Sequence, residues 1–399
     1  MPQFEGPVPL LNLKANYESI KEEVDTAIQE VVSSSYYTSG PAVRLFESQF
    51  ATFIGVNHCV GTSSGTHALI QALRLLGIGP GDEVVVQGNS FSTPATKTAL
   101  STVGASMVLV DHDDSFQLDL ELLEVVITTQ TKVVLVTHMY GSCCDMTQLV
   151  EICKARNIKL IEDCSQAHGA TWRGKYLGSF GDIAAWSFNP YCNLGAYGEA
   201  GGLTTDDDEL AECLRQSGKC CSSIGNNDVA NDENSSNLLD YSLDAIHAAV
   251  LSVKLQYIQQ WNRRRQEIAR LYYELLCQVG DITFPTIVDG CHPAYQQFVM
   301  CTKRRDALVH WMQANFDIQV NVPPPSRIQQ HEEGTSYSVL IPRSHESARY
   351  VLSLPMCPML SDSVVMNIVT AIKSFFLRAE ADYPPRPPKA DHHSTEIII

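Results

Sequence analysis

The chain has 399 residues, long enough for one large domain and a smaller one. With 28 basic against 45 acidic residues its net charge is −17, which argues against nucleic acid or an anionic membrane as a partner. Its 44% hydrophobic and 18% charged residues fit an ordinary soluble globular protein.

Residues 1–40 read as an N-terminal arm that ends in the turn Ser39-Gly40-Pro41. The first residues lack the basic start and apolar core of a signal peptide. No apolar run approaches the roughly 20 residues of a membrane span, so the expected location is the cytoplasm. The thirteen cysteines include the adjacent pairs Cys143-Cys144 and Cys220-Cys221 but no C-x-x-C, so no metal site is expected. They read as reduced, mostly buried thiols.

A helix with apolar residues at helical spacing covers 43–56. Ser64-Gly65-Thr66 then opens a second helix, which Gly79-Pro80-Gly81 closes. From there, strands expected at 82–88, 107–111, 132–138 and 158–163 alternate with helices near 94–101, 118–128 and 146–155. Short strands with crossover helices predict a mostly parallel sheet covered on both faces. A further strand runs through Ser187-Phe188, followed by a Gly-rich return and a helix at 206–216. Residues 217–239 form a long polar loop. A long helical region over 242–277 leads into a C-terminal domain at about 278–378. The Pro- and charge-rich stretch 379–399 is expected to be a disordered tail.

The stretch Glu162–Thr205 carries the chemistry: Glu162-Asp163, Gln166-Ala167-His168-Gly169, Ser187-Phe188, and then Pro190-Tyr191-Cys192-Asn193-Leu194-Gly195. Together with Ser64-Gly65-Thr66-His67-Ala68-Leu69 it resembles the DegT/DnrJ/EryC1/StrS family of sugar aminotransferases, and the likeness runs over about residues 10–378. The resemblance implies an α/β protein of the fold type I PLP-transferase class. Its large domain, 41–277, would hold a mostly parallel seven-stranded sheet, and its small domain would be α+β.

What the resemblance implies for the cofactor, pyridoxal phosphate (PLP), follows residue by residue. Ser64, Gly65 and Thr66 at a helix N-terminus would cradle the phosphate, where free N–H groups and the helix dipole favour an anion. Ser187 would add a second hydroxyl. Phe91 would stack on the ring, Asp163 would hold the pyridine nitrogen protonated, and Gln166 would lie beside the ring hydroxyl. His168 is a candidate acid or base, or a packed core histidine.

The departures set the reading. The family's Schiff-base lysine is replaced by Cys192, which cannot form an imine. Aligning on Ala248-Ala249 puts Asp240 at the family's phosphate-contacting Asn, and Ser242 at its Arg. A carboxylate about 4 Å from a phosphate costs on the order of 4 kcal/mol at an effective dielectric of 20. The family's H-Y-P appears as Asn321-Val322-Pro323.

Ordinary transamination through Cys192 is therefore excluded, and three readings stand. The first is dehydratase-like chemistry with PLP, or its amine form PMP, bound without a covalent bond and Cys192 in proton transfer. The second is a cofactor-free enzyme using Cys192 as nucleophile or acid/base, with help from His168 or Asp163. The third is a non-catalytic auxiliary protein or scaffold. Another lysine, Lys97 or Lys219, is a candidate substitute for the missing one. The family further implies a homodimer with a shared site near 217–240, acting on a nucleotide sugar or aminocyclitol.

Overall fold

The computed structural model describes residues 6–89, 94–219, 242–322 and 341–382. Phe91, Asp240, Pro323, the 220–240 part of the expected polar loop and the expected tail from 383 onward lie outside them. Helices α1 (Leu13–Ser19) and α2 (Lys21–Ser34) precede α3 (Pro41–Ile54), which starts on its proline and closes on Gly55 at φ 82°. The chain then alternates through β1 (His58–Thr62), α4 (Gly65–Leu75), β2 (Glu83–Gln87), α5 (Pro94–Val103) and β3 (Ser106–Val110). It continues with α6 (Leu120–Val126), β4 (Thr131–Thr137), α7 (Met146–Arg156) and β5 (Lys159–Asp163). A small hairpin, β6 (Thr171–Trp172) and β7 (Lys175–Tyr176), comes before β8 (Ile183–Ser187) and β9 (Gly201–Thr205).

Strands β1–β5, β8 and β9 make one seven-stranded sheet in the order β1-β9-β8-β5-β4-β2-β3. The β5/β8, β4/β5, β2/β4 and β2/β3 pairs are parallel, and β9 alone runs against its neighbours β1 and β8. The middles of β2 and β4 are unbroken apolar runs because both faces are covered: Val84–Val86 and Val133–Leu135 are fully buried. Side-chain caps fix the helix starts. Ser64 Oγ accepts from His67 N at α4, and Asp119 and Asp145 cap α6 and α7.

Three sequence expectations are corrected here. The arm over 1–40 holds two helices, and Ile20 and Val24 pack against Val250, Val253 and Trp261. Residues 58–62 form an edge strand, whose short HCVGT run reads as a lead-in to the helix. The region 242–277 is not one helix but two, α9 (Ala245–Leu255) and α10 (Ile258–Leu276). Between them Gln256 N bonds back to Val253 O and Tyr257 N to Lys254 O, a tightened turn that redirects the chain. α9 is buried nearly all round, whereas α10 buries one face, so the two helices need different directions.

The C-terminal part contains α8 (Asp208–Lys219) on the sheet side, then β10 (Cys291–His292), β11 (Phe298–Cys301), α11 (Arg305–Phe316), α12 (Pro342–Tyr350), β12 (Val351–Leu354) and α13 (Asp362–Asp382). A second hydrophobic core joins Ile268–Leu276 of α10 to Phe298, Met312, Leu352, Leu354 and Ile372. Cys291 and Ala294 instead belong to the first core. Among the described residues no helix is long and apolar enough to cross a membrane.

Candidate active site

The site forms at the C-terminal ends of the parallel strands, where such sheets place their ligands. Successive strand residues face opposite sides, so Glu162 and Asp163 part company at the end of β5. Glu162 turns inward. It accepts from His138 Nε2 at 2.9 Å and from the backbone N–H groups of Gly178 (2.8 Å), Phe180 (2.7 Å) and Gly181 (2.8 Å). Burial opposes its ionisation, but His138 and these N–H groups outweigh burial and hold its pKa below the usual carboxylate range. His138, Glu162 and Cys164 lie close enough together to suggest a metal site. The carboxylate oxygens of Glu162 are already spent on protein donors, so the group reads as a structural knot.

Asp163 faces the site and is 4% exposed. It accepts from Ser165 N at 3.1 Å and from Thr137 Oγ1 at 3.4 Å, and among the described residues no lysine or arginine pairs with it. Burial raises its pKa. A buried carboxylate without a cation is matched by a ligand that brings a positive N–H.

Ser64, Gly65 and Thr66 sit beside Ser187. A Cβ on Gly65 would lie 2.6 Å from Ser187 Cβ, and one on Gly201 would lie 2.3 Å from the Ser64 carbonyl carbon. Only glycine fits where the α4 N-terminus meets β8 and β9. Among the described residues the Gly65 and Thr66 N–H groups have no protein acceptor, which leaves them for an anion. Gln166 Oε1 accepts from Tyr140 N at 2.6 Å, while its Nε2 has only a weak contact with Met139 Sδ at 4.0 Å. Tyr140 adopts φ 60°, which aims that N–H at Gln166.

Cys192 is in this group. Its side chain lies within interaction range of Ser187 and of the Asp163 charge. The residue is half-buried, yet its sulfur is surrounded by protein atoms. Burial pushes the thiol up to about 12, and the Asp163 charge adds to the effect. The thiol is thus protonated at neutral pH, which disfavours it as a nucleophile.

The Cys192 loop is held firmly. Cys192 N bonds Asn189 O at 2.9 Å, Asn189 Nδ2 bonds Glu199 at 2.6 Å, and Asn193 Nδ2 reaches Asn262 Oδ1 and Ala294 O. Lys254 Nζ donates to Gly195 O at 2.6 Å and lies over the Tyr197 ring. Burial pulls its pKa down to about 8. Sequence reasoning missed Glu162, Lys254 and Asn193 as supports, since only the fold brings their partners near. A Glu directly beside Asp163 on an apolar strand was the one available signal.

His168 is not beside Cys192's thiol as a base. Its ring packs on Trp186 and Phe188, centroids 5.2 and 5.7 Å away, inside the first core. Burial pulls its pKa down to about 3, outweighing the contact with the Ser187 backbone. Of the two readings that the sequence offered for His168, the packed core histidine fits these surroundings. Lys97 lies on the exposed face of α5, and the Lys219 side chain is outside the described residues. Asn321 pairs through its backbone with Ser353.

Comparison with known proteins places this arrangement. The model of the DegT/DnrJ/EryC1/StrS aminotransferase family matches residues 18–373. The dTDP-3-amino-3,4,6-trideoxy-alpha-D-glucose transaminase of Streptomyces venezuelae is 36% identical over 381 residues, covering 94% of this chain and 97% of the relative. The dTDP-3-amino-3,6-dideoxy-alpha-D-galactopyranose transaminase of Aneurinibacillus thermoaerophilus is also 36% identical, over 92% and 99%. Among solved structures, S. venezuelae DesV in complex with a ketimine intermediate superposes with a TM-score of 0.85 at 35% identity, covering 94% of this chain and 99% of DesV. NtdA of Bacillus subtilis with bound PMP gives 0.82 at 28% identity, over 93% and 86%.

The fold is that of the PLP-dependent aminotransferases, with a mostly parallel α/β sheet. The chain belongs to the DegT/DnrJ/EryC1/StrS aminotransferase family.

Proposed function

We propose that this protein binds PLP or PMP without a covalent bond and acts on a nucleotide-linked sugar, with Cys192 holding a proton where relatives are expected to carry a lysine. The observation that carries this reading is the Cys192 thiol against Ser187 and beside Asp163, a residue that lacks a cationic partner. The residues present fit the cofactor. Asp163 would hold the pyridine N–H, the Gly65 and Thr66 amides and Ser187 the phosphate, and Gln166 Nε2 a ring hydroxyl. When bound, the cofactor supplies an electron sink for charge developing on the substrate.

The protein's own part is to hold and orient. Cys192 Sγ keeps its proton at neutral pH and stands ready to donate it rather than attack. With His168 packed in the core, Asp163 is the acid/base group near the thiol, and its carboxylate raises the thiol pKa further rather than lowering it, which disfavours the nucleophilic reading. The transaminase names of the relatives support a nucleotide-sugar substrate.

The test is Cys192→Lys. Wild-type protein is expected to bind PLP saturably and lose it on dialysis. The variant is expected to retain it with a visible absorption band that borohydride locks in place. A folded variant that retains nothing, alongside a wild type that binds nothing, overturns the cofactor reading.

A homodimer with a shared site is part of the proposal. A groove of about 410 Å³ lined by Val31, Tyr36, Leu45, Ala249 and Val253 offers an apolar face for a second copy. Light scattering on the purified protein is expected to give twice the 44.0 kDa chain mass; a monomer counts against both the dimer and a shared site.

A further inference from the structure

Just after the Tyr140 loop that borders the cleft, residues 142–143 meet β10 across 149 positions of sequence. Ser142 Oγ lies 3.4 Å from Cys291 Sγ, and the side chain of Cys143, next in the chain, lies within interaction range of the same sulfur. The Cys143 backbone N–H also points at it. The contact is locked by neighbouring backbone: Ala294 N bonds Gly141 O at 2.9 Å, and a Cβ on Gly141 would lie 3.0 Å from Tyr295 N.

The two thiols differ in access. Cys291 lines an open surface groove of about 570 Å³ with Gln266, Arg270, Tyr273, His292 and Tyr295, and is 6% exposed. Cys143 lies behind it, fully buried.

We propose that Cys291 and Cys143 form a peroxide-responsive dithiol, in which Cys291 is oxidised first and Cys143 closes a disulfide. Electrostatics agree with this order. Hydrogen bonds from Cys143 and Ser142 lower the Cys291 pKa against the effect of burial, while Cys143 is held protonated. A small hydroperoxide reaches Cys291 through the groove. The Cys291 thiolate attacks one peroxide oxygen, so that an S–O bond forms and the O–O bond breaks. The leaving hydroxide or alkoxide takes a proton from water. Cys143 then attacks the sulfenic sulfur: the S–S bond forms, the S–O bond breaks, and hydroxide leaves with the Cys143 proton as water. The two thiols lose two electrons and the peroxide gains them. The same loop carries the Tyr140 N–H bound to Gln166, so the link is made next to a residue of the cleft.

The experiment treats the full chain with limiting hydrogen peroxide, alkylates the remaining thiols and maps the peptides by mass spectrometry. A linked Cys143–Cys291 peptide, lighter by two hydrogens than the separate pair, is the expected product. Dimedone is expected to trap Cys291 at least about tenfold faster than Cys153 or Cys164, buried thiols whose pKa burial raises. Cys143→Ser is expected to abolish the link and leave Cys291 trapped as its dimedone adduct. The proposal is overturned if the exposed Cys213 and Cys277 are oxidised while no Cys143–Cys291 link forms. Should Cys143→Ser fail to fold, the wild-type peptide map decides alone.

Discussion

Replacing Asp163 with alanine is expected to abolish saturable PLP or PMP binding in the accessible concentration range. Removing one partner of a buried, hydrogen-bonded charge pair costs about 2–5 kcal/mol, which is about thirtyfold or more in Kd. Without a cofactor the carboxylate is buried and no described lysine or arginine pairs with it. The unliganded variant is therefore expected to be about as stable as the wild type. Absorbance titration and a urea melt of the same sample separate the two effects. Unchanged cofactor affinity in Asp163→Ala sinks the assignment of this residue.

The neighbouring residue is expected to behave in the opposite way. Glu162→Ala removes the common acceptor of the buried His138 and of three backbone N–H groups that are buried or part-buried. Breaking a buried pair by deleting one partner costs about 3–5 kcal/mol, a large share of a stability of about 5–15 kcal/mol. Urea denaturation of Glu162→Ala against wild type measures it, and a loss under about 1 kcal/mol contradicts the knot. The pH sign follows from the lowered pKa. The contribution is present above the unfolded-state carboxylate pKa and is lost as pH falls through the lower folded value. Two adjacent carboxylates thus divide the work, Glu162 for the fold and Asp163 for the ligand, because a strand alternates its faces.

Much of the architecture was legible from local pattern. The apolar runs 82–88, 107–111, 132–138 and 158–163 fall on β2, β3, β4 and β5 to within two residues at each end. Strands buried on both faces need unbroken apolar runs, and their crossover helices carry their own caps. Ser64, Gly65, Thr66, Ser187, Asp163, Gln166 and Cys192 were picked from the family resemblance, and the fold gathers them at one end of the sheet. Phe91 and Asp240 lie outside the described residues.

The misreadings share a cause. An Ala- and Val-rich stretch such as 245–255 has helical spacing in either case, and whether it continues straight into 258–276 depends on what packs around it. His168 looks the same in sequence whether it faces a cleft or a core. Only Trp186 and Phe188, arriving on another strand, decide that it is packed and neutral.

By itself, then, the sequence determined the strand and helix order from residue 64 to residue 163, the anion-ready helix start at Ser64 and the absence of a lysine at position 192. These are properties of local periodicity, capping and side-chain chemistry. The tertiary structure alone decided that Glu162 is spent and Asp163 is not, that Cys192 stays protonated, and that Cys143 meets Cys291. Desolvation and contact between residues far apart in the chain set these states, and neither can be read from neighbours in sequence.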